Sequence, residues 1–240
     1  MIPKVKHPIT TLTVPSNGKK ISVRPMLVKE EKLLLMAKES KQVGEVLAAI
    51  KQVVGNCIID KNFDIDKISI FDLEYLFLQL RAISVSNVVK VSYEDPEDNK
   101  TYDFDIDLQK IEVIMPKDSN NKINLGENTW AYMKWPEAST YTDTSILELE
   151  PTQIQDEMTF RHIDKIVVSE GSKEKVWNAT ASNYDEIEEF MNDLPLNAYA
   201  EIQKFINNAP VMKHVIKYKN SKGTEREIVL SSLTDFFTFV

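Results

Sequence analysis

Hydrophobic positions along this chain recur with two spacings, one near 3.6 residues and one of two, and these mark out helices and hairpins. The densest helical stretch is 69–85, where Leu73, Leu76, Phe77 and Leu80 share one face and Phe71, Tyr75, Leu78 and Ala82 fill much of the rest. A helix apolar on so many sides is predicted to be central and covered from more than one direction. Ser69 and Asp72 have the spacing of a capping box at its start, and Ile68 is placed to staple onto Leu73. Upstream, 11–14 and 19–23 alternate around Pro15-Ser16-Asn17-Gly18, and Asn-Gly at that place is a strong hairpin signal. Residues 29–38 read as a helix whose Glu30 and Glu31 suit the positive end of the dipole. In the next helix Val43, Val46, Leu47, Ile50, Val53, Val54 and Cys57 fall on one buried face.

Beyond the central helix, 87–93 and 101–108 alternate like paired strands around a turn at 95–99, with 111–115 and 122–125 placed as extensions of that sheet. The stretch around Trp130, Tyr132 and Trp135 has no clear assignment before Pro136. Residues 151–164 are predicted helical and 165–168 a strand, after which a capping box at Ser182 and Asp185 opens a helix burying Ile187, Phe190, Met191 and Leu194. Pro195 stops it, and Asn197 is expected to cap another with Tyr199, Ile202, Phe205 and Ile206 inward. A third hairpin joins 211–219 to 224–230 through Asn220-Ser221-Lys222-Gly223. The predicted fold class is therefore α+β, helices packed with antiparallel β-hairpins in two intimate lobes. The aperiodic stretch 139–156, rich in Thr, Ser and Glu, is the expected boundary between an N-terminal lobe at 1–138 and a C-terminal lobe at 157–240.

Composition narrows the function. A net charge of −8 argues against a grip on nucleic acid, which depends on clustered Lys and Arg. The single cysteine, Cys57, leaves no intramolecular disulfide and no cysteine-built zinc site. With no apolar leader and no run of membrane-spanning length, the expectation is an intracellular chain without membrane insertion.

His7, His162 and His214 are scattered, no Walker A or G-x-G-x-x-G sequence occurs, and six glycines leave little material for phosphate-cradling loops, so neither a catalytic group nor a cofactor is expected. Residues 60–66 begin like a calcium loop but carry Ile65 at the turn glycine and Phe71 where the bidentate glutamate belongs. Asp103, Asp105 and Asp107 share one strand face, about 6.5–7 Å apart, too far to chelate one ion unaided. They make a water-facing strand or an acidic docking stripe for a basic partner. Phe236, Phe237 and Phe239 near the end either fold back into the core or anchor a partner. The candidate partner-binding residues are thus Phe236, Phe237, Phe239, Asp103, Asp105 and Asp107, with no catalytic or metal-binding set.

Ordered matches across the chain carry a family resemblance. They are Leu12-Thr13-Val14-Pro15-Ser16-Asn17-Gly18 with Val23-Arg24-Pro25; Val28-Lys29-Glu30-Glu31-Lys32-Leu33-Leu34 with Lys38-Glu39-Ser40; Phe71-Asp72-Leu73-Glu74-Tyr75-Leu76-Phe77-Leu78-Gln79-Leu80-Arg81 with Ser84-Val85; and Leu233-Thr234-Asp235-Phe236-Phe237. In these the chain resembles the T4-type phage baseplate hub assembly proteins. The resemblance implies a non-enzymatic protein that assists assembly of the baseplate central hub by ATP-free binding to other hub or tape-measure proteins, in the host cytoplasm. A structural subunit retained in the virion is the alternative, and a cell-wall hydrolase built on Glu74, Glu148 and Glu150 a remote one. Some relatives carry paired cysteines at the second and third hairpin turns, suggesting a metal-clamped knuckle. This chain has none there, so those turns are expected to be held by backbone pairing and neighbouring packing.

Overall fold

The computed structural model describes residues 5–40, 42–117 and 120–236. The chain forms two compact units, one from 1–114 with 211–240 and the other from 115–210.

The first unit opens with the predicted hairpin, β1 (Thr10–Thr13) and β2 (Lys20–Val23), antiparallel, with Gly18 at φ +68° where a side chain would strain the turn. Helices α1 (Val28–Ser40), α2 (Val43–Cys57) and α3 (Ile70–Ser84) follow, then the hairpin β3 (Val88–Glu94) and β4 (Thr101–Asp107). In α3, Leu73, Leu76, Leu78 and Leu80 are fully buried and Phe71 and Phe77 nearly so, and burying each such side chain stabilises by roughly 1.5–3 kcal/mol. Gln79 of the same helix donates to the Leu108 carbonyl at 3.0 Å, satisfying its buried amide.

The predicted cap of α3 is built differently. Ser69 makes no side-chain cap; its hydroxyl donates to Asp72 Oδ2 at 2.7 Å, and Asp72 Oδ1 accepts from the Ser16 amide at 2.9 Å. Asp72, 1% exposed, therefore tethers the first hairpin turn to the central helix instead of closing a local box.

The strand β5 (Glu112–Ile114) does not extend the β3–β4 hairpin. It pairs with a strand about a hundred residues later, β10 (Val211–Lys219), with Ile114 opposite Val211. The second unit is thus inserted between two paired strands, leaving at Ile114 and returning at its partner Val211, which is why the division falls at 114/115 and 210/211 and not within 139–156. In that inserted unit β6 (Lys122–Gly126), β7 (Thr129–Met133), β8 (Ile163–Glu170) and β9 (Lys173–Asn178) form one antiparallel sheet in sequence order. The unassigned Trp130–Tyr132 stretch is β7, and the wholly exposed β9 carried no readable signal.

Helices α4 (Thr144–Leu147) and α5 (Pro151–Arg161) occupy most of the segment expected to be a linker. With α6 (Tyr184–Asn192) and α7 (Leu196–Asn207), α5 closes a core of Ile123, Leu125, Ala131, Met133, Ile163 and Ile166 from the sheet against Phe160, Ile187, Ile202 and Phe205. Trp135 stacks on Phe205 with centroids 4.2 Å apart. The box predicted at Ser182 lies two residues earlier, where Asn183 Oδ1 accepts from the Thr180 amide, and Asn197 lies inside α7, which begins after Pro195. The first unit ends with β11 (Glu225–Leu230), paired to β10 through the third predicted hairpin, and α8 (Leu233–Phe236).

Candidate functional site

In the first unit the tips of two hairpins meet. The apolar face of β4 presents Tyr102 and Phe104 to Tyr218 of β10, with ring centroids 5.0 and 5.2 Å apart. This places the β3–β4 turn over the β10–β11 turn, and the two exchange a dense set of hydrogen bonds. The Tyr218 hydroxyl donates to Asp95 Oδ2 at 2.5 Å, Asn220 Nδ2 to Glu97 Oε2 at 2.7 Å, and the Ser221 hydroxyl to Asp98 Oδ2 at 2.7 Å. Arg226 adds an ion pair to Asp95 at 3.3 Å and one to Glu97 at 3.2 Å. The turns were expected to rely on backbone pairing and packing; a side-chain clasp with carboxylates on one tip and amide, hydroxyl and cationic donors on the other joins them. The complementary composition, Asp95, Glu97 and Asp98 against Asn220, Ser221, Lys222 and Arg226, was the signal in the sequence.

These contacts set the acid behaviour. The hydrogen bond from Tyr218 holds the Asp95 carboxyl below its ordinary value of 3.8, and the one from Tyr102 does the same for Asp98. A carboxyl depressed on folding contributes stability above its unfolded value and loses it as the pH falls through its folded value, so the clasp is expected to weaken only below about pH 4. Asn220, 4% exposed, also accepts from the amides of Lys222 and Thr224. Asn220→Ala is expected to cost about 1 kcal/mol in urea unfolding, because it removes hydrogen bonds to partly exposed partners on both tips. A loss below about 0.5 kcal/mol would remove the clasp from the energetics.

A second polar cluster sits where β2, α1 and α2 converge. Arg24 Nη2 donates to Glu30 Oε1 and to the Asn56 carbonyl, each at 2.9 Å, and Nη1 donates to the Pro25 carbonyl at 2.9 Å. Glu30, 1% exposed, also accepts from the Leu27 amide at 2.8 Å. Burial alone would raise its carboxyl, but the hydrogen bonds from Arg24 and Leu27 hold it below the usual range. Cys57 is fully buried beside this pair, and burial pushes its thiol up to about 11, far from a reactive thiolate.

Of the predicted site residues, Asp103 and Asp105 are exposed on the outer face of β4, while Asp107 is half-buried. Asp103 accepts from the Ser92 hydroxyl at 2.6 Å, Asp105 stands opposite Lys90 in the ladder, and Asp107 accepts from Asn87 at 3.2 Å. Phe236 is 2% exposed, its ring packed within the first unit; Phe237 and Phe239 lie outside the described residues. The calcium-like acids serve the fold: Asp60 accepts from the Ser22 amide, Asp64 from the Asp66 amide and Asp66 from Lys51. His162 is buried, its ring 2.6 Å from the Met158 carbonyl, and burial lowers its pKa. Glu74 is different, with burial alone pushing its carboxyl up to about 7. Glu148 and Glu150 are exposed in the other unit.

The first unit also carries a groove of about 630 Å³ bounded by α1, the last turn of α3 and the start of β3. Leu34 and Leu35 of α1, Phe77 of α3, Val85 just after that helix, and Val88 of β3 make its apolar walls. Nothing in the sequence pattern pointed to it, because its walls come from three separate elements.

Among known proteins, a family model described as the T4 bacteriophage base plate protein matches residues 7–238. No curated protein and no solved structure matches the chain.

Proposed function

The chain belongs to the T4 bacteriophage base plate protein family, and from that premise we propose that it assists assembly of the baseplate hub by binding other tail proteins without catalysis. The observation that carries this proposal, beside the family match, is the surface of the first unit. There Val28, Leu35, Met36, Val85 and Val88 stand more than 40% exposed, beside the acidic outer face of the β3–β4 hairpin. Contiguous apolar surface of this kind is a mark of protein–protein contact sites.

Binding of that sort needs no nucleotide. Burial of the apolar side chains offsets the entropy lost on association, and a later partner with more complementary contacts displaces the first. Asp103 and Asp105 are the charges proposed to steer a basic partner to the hairpin. As rim charges they act mainly on the association rate, so Asp103→Asn with Asp105→Asn is expected to slow capture about threefold to tenfold at low salt and little at high salt.

The proposed place of action is the host cytoplasm during tail assembly. Tagged protein recovered from infected cells is expected to bring down hub or tape-measure proteins, while mass spectrometry of purified virions finds it below stoichiometric amounts. Stoichiometric presence in the virion would instead make it a retained baseplate subunit.

A further inference from the structure

We propose that the groove between α1, α3 and β3 is the docking site for an apolar segment flanked by carboxylates, contributed by another protein of baseplate assembly. This rests on the baseplate function proposed above and adds a second contact, apolar and cationic, beside the acidic stripe that steers a basic part of the same partner.

Helix α1 motivates the choice. It carries Val28, Leu33, Leu34, Leu35 and Met36, yet the residue it buries is the charged Glu30, in the ion pair with Arg24. Val28, Leu35 and Met36 are 67%, 54% and 68% exposed. A helix normally turns its apolar side chains inward and its charges to water, and here the order is reversed around the one position that Arg24 requires. Across the groove, Val85 is 61% and Val88 41% exposed, so both banks offer apolar surface to whatever lies between them.

The charges decide what that is. Arg81 and Lys90 bring two cations to the groove against the single carboxylate of Glu31, in a chain whose net charge is −8. Arg81 projects from the last turns of α3 and makes no side-chain hydrogen bond or ion pair among the described residues. An unengaged guanidinium at the edge of an apolar floor offers a planar donor fork to a carboxylate, and closing that bond in a partly desolvated groove is stronger than on open surface. The apolar walls select a protein segment over a nucleic acid, whose backbone would find only a few cations on an acidic molecule. Helix-in-groove recognition uses this combination of apolar anchors and flanking charge.

The test places a photo-crosslinking benzoylphenylalanine at Leu35 in tagged full-length protein, irradiated in infected cells. The expected product joins position 35 to a segment of another tail protein that is apolar and net acidic. That segment, synthesised with a fluorescent label, is expected to bind wild-type protein and to lose at least tenfold in affinity to Leu35→Asp and to Arg81→Glu, both with unchanged circular dichroism. Exchanging its acids for lysines is expected to weaken it as much. Equal binding of the acidic and lysine peptides overturns the proposal, as does a cross-link confined to this chain, to a second copy of it, or to nucleic acid. Capture of tail proteins by the tag without a cross-link from position 35 overturns the groove and leaves the baseplate function standing; capture of no tail protein overturns both.

Discussion

Arg24→Met is expected to lower the unfolding free energy by about 3–5 kcal/mol, because it leaves the buried Glu30 with only the exposed Lys29, 3.5 Å away, as a counter-charge. The guanidinium bridges the end of β2, the start of α1 and the end of α2, donating to Glu30, Pro25 and Asn56. Removing it strands a carboxylate that is 1% exposed together with two carbonyls. The pH dependence separates this cause from simple loss of packing. In the wild type the Glu30 carboxyl is depressed, so its contribution is present above its ordinary value of 4.5 and lost as the pH falls through its folded value. In the variant, burial opposed by only the solvent-exposed Lys29 would raise it, so the deficit is largest at neutral pH and shrinks toward pH 4. Urea unfolding across that range checks both points. Arg24→Met with Glu30→Met should recover much of the loss, since replacing both partners of a buried pair by apolar groups is often close to neutral. A deficit independent of pH, or no recovery in the double variant, would assign the cost to packing.

Glu74→Gln has the opposite sign. Burial raises the Glu74 carboxyl from 4.5 to about 7, so the folded state favours the protonated acid. That advantage is fully present below pH 4.5 and is lost as the pH rises through 7, a loss of about 3 kcal/mol at 1.36 kcal/mol per pKa unit. Glutamine keeps the shape and never ionises. The variant should therefore match the wild type near pH 4.5 and exceed it by about 3 kcal/mol at pH 8.5, where the native side chain is charged in its partly buried place. Parallel pH profiles for the two proteins would mean that Glu74 ionises freely and that water reaches it. Glu74 and the carboxylates of the clasp pull in opposite directions, so maximal stability is expected on the acid side of neutrality.

Much of the fold was legible because much of it is local. The Asn17-Gly18 turn, the span of α3 and the β10–β11 hairpin are each specified by neighbours in sequence, through positive φ, helical spacing and alternation. The errors share one cause. Asp72 has the spacing of a capping residue, yet it accepts from Ser16, fifty-six positions away. Asn197 has the chemistry of a cap, but Pro195, with its fixed φ, already starts that helix. In each case a tertiary partner or a stiffer neighbour outbid a local preference. The candidate surface was legible only in part, since alternation gave the outward face of Asp103 and Asp105 but not the groove.

Periodicity and ordered local motifs suffice for the α+β class, the family, the burial of Cys57 and the central place of α3. How the chain divides, what joins the hairpin tips and which apolar side chains stay in water depend on contacts between distant elements. The pairing of Ile114 with Val211 makes the second unit an insertion, and no local pattern announces a partner so distant. The same holds for Tyr218 on Asp95 and for Arg24 on Glu30, where the donor and the buried acid are known only once the elements have packed. Burial is a property of the assembled fold, and α1 shows the consequence: Glu30, whose partner Arg24 lies inside, goes in, and Leu34 and Leu35 remain at the groove.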